Sequence, residues 1–267
     1  MILQACSDVM KDIPIDALWV VDISGISEEK RMDTIIPIGQ LHIVYNFADP
    51  YELVVDGNYK QIPNQVLVGQ LKEPVKIRYG NTIKQLGIAI KPASFYRLFG
   101  QVASLYSEIV IDSSHLSFFS ELHRYVEATM SDIDLAPLQQ LEQIASYFRG
   151  KTFMETAGID IDGMIQYIEN HDGGIDIKEM AKHFHYSVSS LERNFKKYMG
   201  LTPKAYVDII RFQKAVLEDN PERLFYDQSH YIKNCKKYTT KIPARLKESK
   251  EISVRHMLGL ESADFIQ

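Results

Sequence analysis

Up to about residue 112 the apolar positions come in short runs. Residues 18–22, 41–45, 52–55, 65–68, 75–79 and 85–90 are rich in β-branched and aromatic side chains. Turn formers separate them: Asp49-Pro50, Asp56-Gly57-Asn58, Glu73-Pro74 and Gly80-Asn81. Short strands at this spacing predict a small barrel or sandwich. Residues 91–100 then read as a capped helix opening after a proline. From Leu116 the period becomes helical, with Leu116, Phe119, Leu122 and Val126 on one face and Leu138, Leu141, Ile144 and Phe148 on another. These predict helices that join the two halves of the chain or pair two copies of it. A third helix near Met164 and Ile168 stops at His171-Asp172-Gly173-Gly174. The expected division is a β domain over 1–112, a helical connector over 113–158, an all-α domain over 159–250 and a tail over 251–267.

Composition narrows the class. The chain has 267 residues, 45% apolar and 24% charged, with a mean hydropathy of -0.17, which excludes wholesale disorder and fibrous repeats. No window approaches 18 consecutive apolar residues, so no membrane partner is expected. The first residues do not read as a secretory signal. Cys6 and Cys235 lie far apart and form no CxxC pair, so neither a disulfide framework nor a zinc site is expected, and a reducing cytoplasm suits the chain. The net charge of -5 is unevenly spread: residues 171–250 hold 16 Lys and Arg against 10 Asp and Glu, and the remainder 14 against 25. A basic block on an acidic body points to a polyanionic partner at one end.

That block contains a repeat. Residues 186–203 align without gaps to 226–243, with Tyr186/Tyr226, Ser189/Ser229, Asn194/Asn234, Lys196/Lys236, Lys197/Lys237, Tyr198/Tyr238 and Pro203/Pro243 identical. The first copy reads as a helix-turn-helix. Ile177, Met180, Ala181 and Phe184 give a short helix its apolar face, and His185-Tyr186 turns the chain. Ser187 caps a second helix in which Leu191, Phe195 and Tyr198 face inward. Gly200 closes that helix and Thr202-Pro203 starts the next. Ser189, Ser190, Glu192, Arg193, Lys196 and Lys197 are left outside, where a recognition helix presents residues to the major groove. Arg193 matches guanine O6/N7 by its planar fork, while Lys196 and Lys197 suit phosphates.

Residues 160–247 resemble the tandem helix-turn-helix domain of AraC/XylS-type transcription regulators. The resemblance rests on residues 191–206, on 211–215 (Arg-Phe-Gln-Lys-Ala) and on 226–231 (Tyr-Asp-Gln-Ser-His-Tyr). The first part of the chain, from Trp19 through Pro37-Ile38-Gly39 and Gly69 to residues 95–100, is similar to the cupin-like domain that precedes it in one branch of that family. The resemblance implies an α+β protein: an N-terminal cupin-like β-barrel, a helical connector and a C-terminal all-α helix-turn-helix domain. It implies double-stranded DNA as partner, with base reading at Ser189, Glu192 and Arg193 and again at Ser229, Ile232 and Lys233, and with Lys236 and Lys237 also among the DNA-binding residues.

The second unit departs from the family pattern. Residues 218–225 pass almost directly into Tyr226, about ten residues too few for a complete helix-turn-helix. Cys235 stands where Phe195 anchors the first copy, Thr240 replaces Gly200 and Ile242 replaces Thr202. The expectation is therefore a truncated second unit. In the first unit Glu192 is acidic, and His185 holds a turn position where the family favours glycine. An alternative stays open, in which an eroded regulator serves as a ligand-binding or protein-interaction module without specific DNA binding. A metal-dependent cupin enzyme is disfavoured because His42 is the one histidine before residue 113, and no nucleophile or phosphate-loop motif is present. No catalytic residue, metal or cofactor is expected. Trp19, Tyr45, Phe47 and Tyr79 are the candidate walls of a pocket for a small-molecule effector. With one working reader per chain, a homodimer would be needed to span two half-sites.

Overall fold

The computed structural model describes residues 2–4, 13–156, 158–249, 251 and 254; Cys6 and nearly all of the 251–267 tail lie outside them. Among the described residues the first 112 positions hold ten strands: β1 (Ile2–Gln4), β2 (Ala17–Ile23), β3 (Met32–Ile35), β4 (Leu41–Asn46), β5 (Glu52–Val55), β6 (Asn58–Gln61), β7 (Gln65–Val68), β8 (Val75–Arg78), β9 (Ile83–Ile90) and β10 (Val110–Asp112). They form two antiparallel sheets, one of six strands in the order β1-β2-β9-β4-β7-β10 and one of four in the order β3-β8-β5-β6. The β domain is thus a double sheet of the cupin-like kind rather than a closed barrel.

The six-stranded sheet is buried on both faces, and strand alternation divides its residues. Trp19, Val21, Val66, Val68 and Ala89 face the smaller sheet. Leu18, Val20, Leu41, Ile43, Tyr45, Leu86 and Ile88 face the other way. That back face meets α1 (Pro92–Phe99), α2 (Ser120–Ser131) and α3 (Pro137–Arg149) through Phe95, Leu122, Val126, Leu141, Ile144 and Phe148. Each such side chain gains about 1.5–3 kcal/mol on leaving water, so α2 and α3 lie down on the sheet instead of standing free between the halves. Tyr45 and His123 stitch the layers. His123 Nε2 lies 2.8 Å from the Ser113 carbonyl and must donate there, which leaves Nδ1 to accept from Tyr45 Oη at 2.9 Å.

The C-terminal helices are α4 (Ile161–Asn170), α5 (Ile177–His183), α6 (Val188–Met199), α7 (Pro203–Leu217), α8 (Gln228–Thr239) and α9 (Pro243–Lys247). Their shared core holds Met164, Met180, Leu191, Phe195, Tyr206, Phe212 and Tyr238, and it takes in Ile36 and Ala93 from the β domain. The seam is polar elsewhere. Lys91 pairs with Glu169 at 3.1 Å, Arg97 pairs with Asp162, and Gln213 Nε2 donates to the Ile38 carbonyl at 3.3 Å. Tyr96 packs edge-on against Tyr198 with ring centroids 5.1 Å apart. Asp16 accepts from Gln40 at 2.8 Å beside this seam. Its burial pushes the carboxyl up to about 6; Lys91 pulls it back and Glu169 adds to the rise.

Candidate nucleic-acid interface and enclosed cavity

The first helix-turn-helix is complete. Asp176 caps α5 by accepting from the Lys178 and Glu179 amides. The chain turns at His185, whose φ of 58° is in the left-handed region that a glycine would enter more freely. Tyr186 N then bonds back to the Ala181 carbonyl at 2.9 Å. Ser187 accepts from Ser190 N at 3.2 Å to cap α6. Gly200, at φ 75°, closes the helix, and Thr202 accepts from Ala205 N at 3.2 Å to open α7. Leu191, Phe195 and Tyr198 are buried beneath α6. Ser189, Glu192, Arg193, Lys196 and Lys197 are exposed and Ser190 is half-buried, so these residues share the outer side of one helix. Among the described residues Arg193 reaches only Ser190 Oγ, at 3.5 Å.

The second unit keeps the counterpart of α6, helix α8, and lacks the helix before it. Between α7 and α8 stands one 3-10 turn, Pro221–Arg223. Asp227 caps α8 by accepting from His230 N at 2.7 Å. Tyr226, the counterpart of Tyr186, is 96% exposed. Cys235 is fully buried in the Phe195 position, with Phe225 and Tyr231 in the same core, and burial pushes its thiol up to about 11. Thr240 takes the left-handed conformation of Gly200 at φ 61°. Ser229, Lys233, Lys236 and Lys237 are exposed on α8, and Ile232 is half-buried. A recess of about 520 Å³ beside α8, lined by Asp219, Phe225, Tyr226 and Tyr231, opens where the shortened connection runs.

The cations of this domain fall into two sets. Lys204, Arg211, Lys214, Arg223, Lys241, Arg245 and Lys247 are all in ion pairs. Among the described residues, Arg193, Lys196, Lys197, Lys233, Lys236 and Lys237 are in none, nor are Lys178 and Lys182 on α5. Lys197 and Lys237 instead sit near the rings of Tyr198 and Tyr238, at 5.1 and 4.6 Å. The outer sides of α6 and α8 therefore carry positive charge that no carboxylate among the described residues pairs with.

A cavity of about 60 Å³ lies between the two sheets. Trp19 and Tyr79, two of the four sequence candidates, line it. The indole lies over Gly87, its cross-strand partner, where a Cβ would come within 2.0 Å of the ring. Tyr45 is one residue beyond the wall residue Val44, so alternation aims it at the back-face helices. Phe47 follows the end of β4 and is 36% exposed. His42, Tyr51 and Gln85 complete the polar part of the wall. Gln85 was invisible as a candidate because a glutamine in a strand carries no signal of which face it takes. Among the described residues no three His, Cys, Asp or Glu side chains converge as a metal site, and no helix is long and apolar enough to cross a membrane.

A capped helix pair at α5 and α6, followed by α7 and by α8 as a second copy of α6, defines a helix-turn-helix unit. Residues 168–208 match the bacterial regulatory helix-turn-helix proteins of the AraC family. That stretch of the chain thus carries a helix-turn-helix of AraC type. Residues 14–112 match a domain of unknown function, DUF6597. No curated protein matches the chain. Among solved structures, ToxT from Vibrio cholerae O395 is similar over 85% of this chain and 95% of that one, at 11% identity and a TM-score of 0.46. The same protein bound to (E)-4-(8-methylnaphthalen-1-yl)but-3-enoic acid is similar over 96% and 99%, at 9% identity and 0.48. The AraC-like transcriptional activator CuxR is similar over 74% and 73%, at 11% identity and 0.29. At these scores the likenesses carry no argument about this chain.

Proposed function

We propose that the chain regulates transcription by binding double-stranded DNA, with α6 as its principal reader in the major groove. The observation that carries this reading is the set of unpaired cations on α6 and α8, in a domain where seven other cations are held in ion pairs. Phosphates are the partners such charges await, and the contacts add affinity without sequence choice. Ser189, Glu192 and Arg193 lie one helical turn apart on the outer side of α6, where base edges are read. On α8, Ser229, Lys233, Lys236 and Lys237 offer a second contact, weaker for want of a supporting helix. The cavity between the sheets takes a small-molecule effector, and a homodimer presents two α6 readers to two half-sites.

The test is selection of bound sequences from a randomised duplex library by the full-length protein, followed by salt titration of any enriched sequence. An enriched motif whose affinity falls steeply with salt is expected. Arg193→Ala should cost about 1–3 kcal/mol on that motif and little on random DNA. No enrichment, or equal loss on both DNAs, would remove α6 as a base reader and favour a protein-interaction role.

A further inference from the structure

In the first unit α6 is braced by α5. Ile177, Met180, Ala181 and Phe184 follow the i, i+3, i+4, i+7 spacing by which an amphipathic helix fills a groove. Met180 and Ala181 are buried in one core with Leu191 and Phe195. Lys178, Glu179, Lys182 and His183 are left exposed.

The 40-residue repeat carries this arrangement to the second unit and shows why it fails there. Leu217, Asn220, Pro221 and Leu224 fall where Ile177, Met180, Ala181 and Phe184 stand. A proline inside a helix removes a hydrogen bond and collides with the preceding turn. Asp219 turns left-handed at φ 50°, and Pro221–Arg223 make a single 3-10 turn. Phe225 covers part of the ground that a brace would take, with its ring 5.3 Å from that of Tyr231 and 5.1 Å from that of His230.

What it leaves uncovered is the recess of about 520 Å³ beside α8. Tyr231 in its wall is the counterpart of Leu191, which shares the core with Met180 and Ala181. That volume lies within the range of about 300–1,000 Å³ usual for clefts that hold a ligand. Its wall also carries charge. Asp219 is paired with Lys247 at 2.5 Å, whereas Glu222 and Asp227 are in no ion pair among the described residues. Two free carboxylates beside exposed aromatic surface, in a domain whose other outer faces are basic, suit a segment that is apolar and positively charged.

We propose that the recess beside α8 receives a short amphipathic helix with basic flanks from a separate protein, which braces α8 in trans as α5 braces α6 in the same chain. This deepens the DNA-binding role proposed above by giving α8 the support it lacks. The docking is measured without DNA, so its failure and that of DNA reading are told apart. The probe is a dye-labelled peptide of residues 175–187, with His183→Lys bridged to Glu179 by a lactam so that it is helical before it binds. Fluorescence anisotropy with the full-length protein should show a saturable rise, abolished by Met180→Asp in the peptide. Tyr226→Ala and Glu222→Lys, both at exposed positions, should each weaken binding by about tenfold or more. No saturable rise, or a rise that neither protein variant weakens, would overturn the site. Sedimentation of the free protein should be the same with and without the two substitutions. A dimer that either one returns to monomer would give the recess to a second copy of the chain and overturn the separate partner.

Discussion

Replacing Asp16 with Asn tests the electrostatics of the seam between the two domains. The ordinary carboxyl value is 3.8, and in the folded chain Asp16 stands at about 6. Two carboxylates, Asp16 and Glu169, share one nearby cation, Lys91, while the Tyr206 hydroxyl donates to Glu169 at 3.5 Å. Each tenfold change in proton affinity corresponds to about 1.4 kcal/mol, so the rise from 3.8 sets a ceiling of about 3 kcal/mol. Asp16 keeps some solvent, so the usable range is about 1–3 kcal/mol. The folded value is the higher one, so the proton favours the native chain. The contribution is fully present below the unfolded value and is lost as pH rises through about 6. Asn cannot ionise, and at low pH it resembles the protonated acid.

Urea unfolding of the native chain and Asp16→Asn, run from pH 4 to pH 8, reads the difference. The two should be nearly equal near pH 4, and the variant more stable by about 1–3 kcal/mol at pH 7.5. Asp49, Asp112 and Asp172 have lowered values, held down chiefly by hydrogen bonds from Thr82, Ser114 and Arg223 respectively. Their contributions fade on acidification in both chains and cancel in the comparison. A variant less stable at pH 7.5, or a difference that does not change with pH, would refute the reasoning.

Other substitutions probe the repeat and the cavity. Phe195→Ala should cost about 3–5 kcal/mol in urea unfolding, whereas Cys235→Ala, at the same place in the second copy, should cost about 1 kcal/mol, because far less side chain is removed. Thr240→Gly should raise stability by about 1 kcal/mol by relieving a β-branched residue at positive φ; a loss would show that the Thr240 conformation is unstrained. Gly87→Ala should displace the Trp19 indole and change its emission, read directly by fluorescence, since the added methyl meets the ring.

Local chemistry carried much of this protein in plain view. The period of Leu191, Phe195 and Tyr198, the capping serine at Ser187 and the stop at Gly200 each act within a few residues of their own position, and each is where the structure has it. The strands β3, β6 and β10 have no such local mark. Asn58–Gln61 is wholly exposed and polar, and Val110–Asp112 is only three residues long, so neither shows an apolar alternation. The cavity was half legible. Aromatic residues marked the β domain, but which face Trp19 and Tyr45 take depends on register with β9, a long-range pairing with no local signature. The pairing state of the cations was not legible either, since Asp172, which holds Lys214 and Arg223, reaches them only through the folded chain.

The six-stranded sheet that walls the cavity is a partition with a load on each side. Its rear carries the Tyr45–His123–Ser113 link and the aromatic pile of Phe95, Phe118 and Phe119. A change of volume there bows the sheet and remoulds the chamber in front of it without altering a single wall residue. Descendants of this protein thus have a way to acquire new chemical tastes from behind the wall, through positions that a search confined to the chamber's lining would pass over.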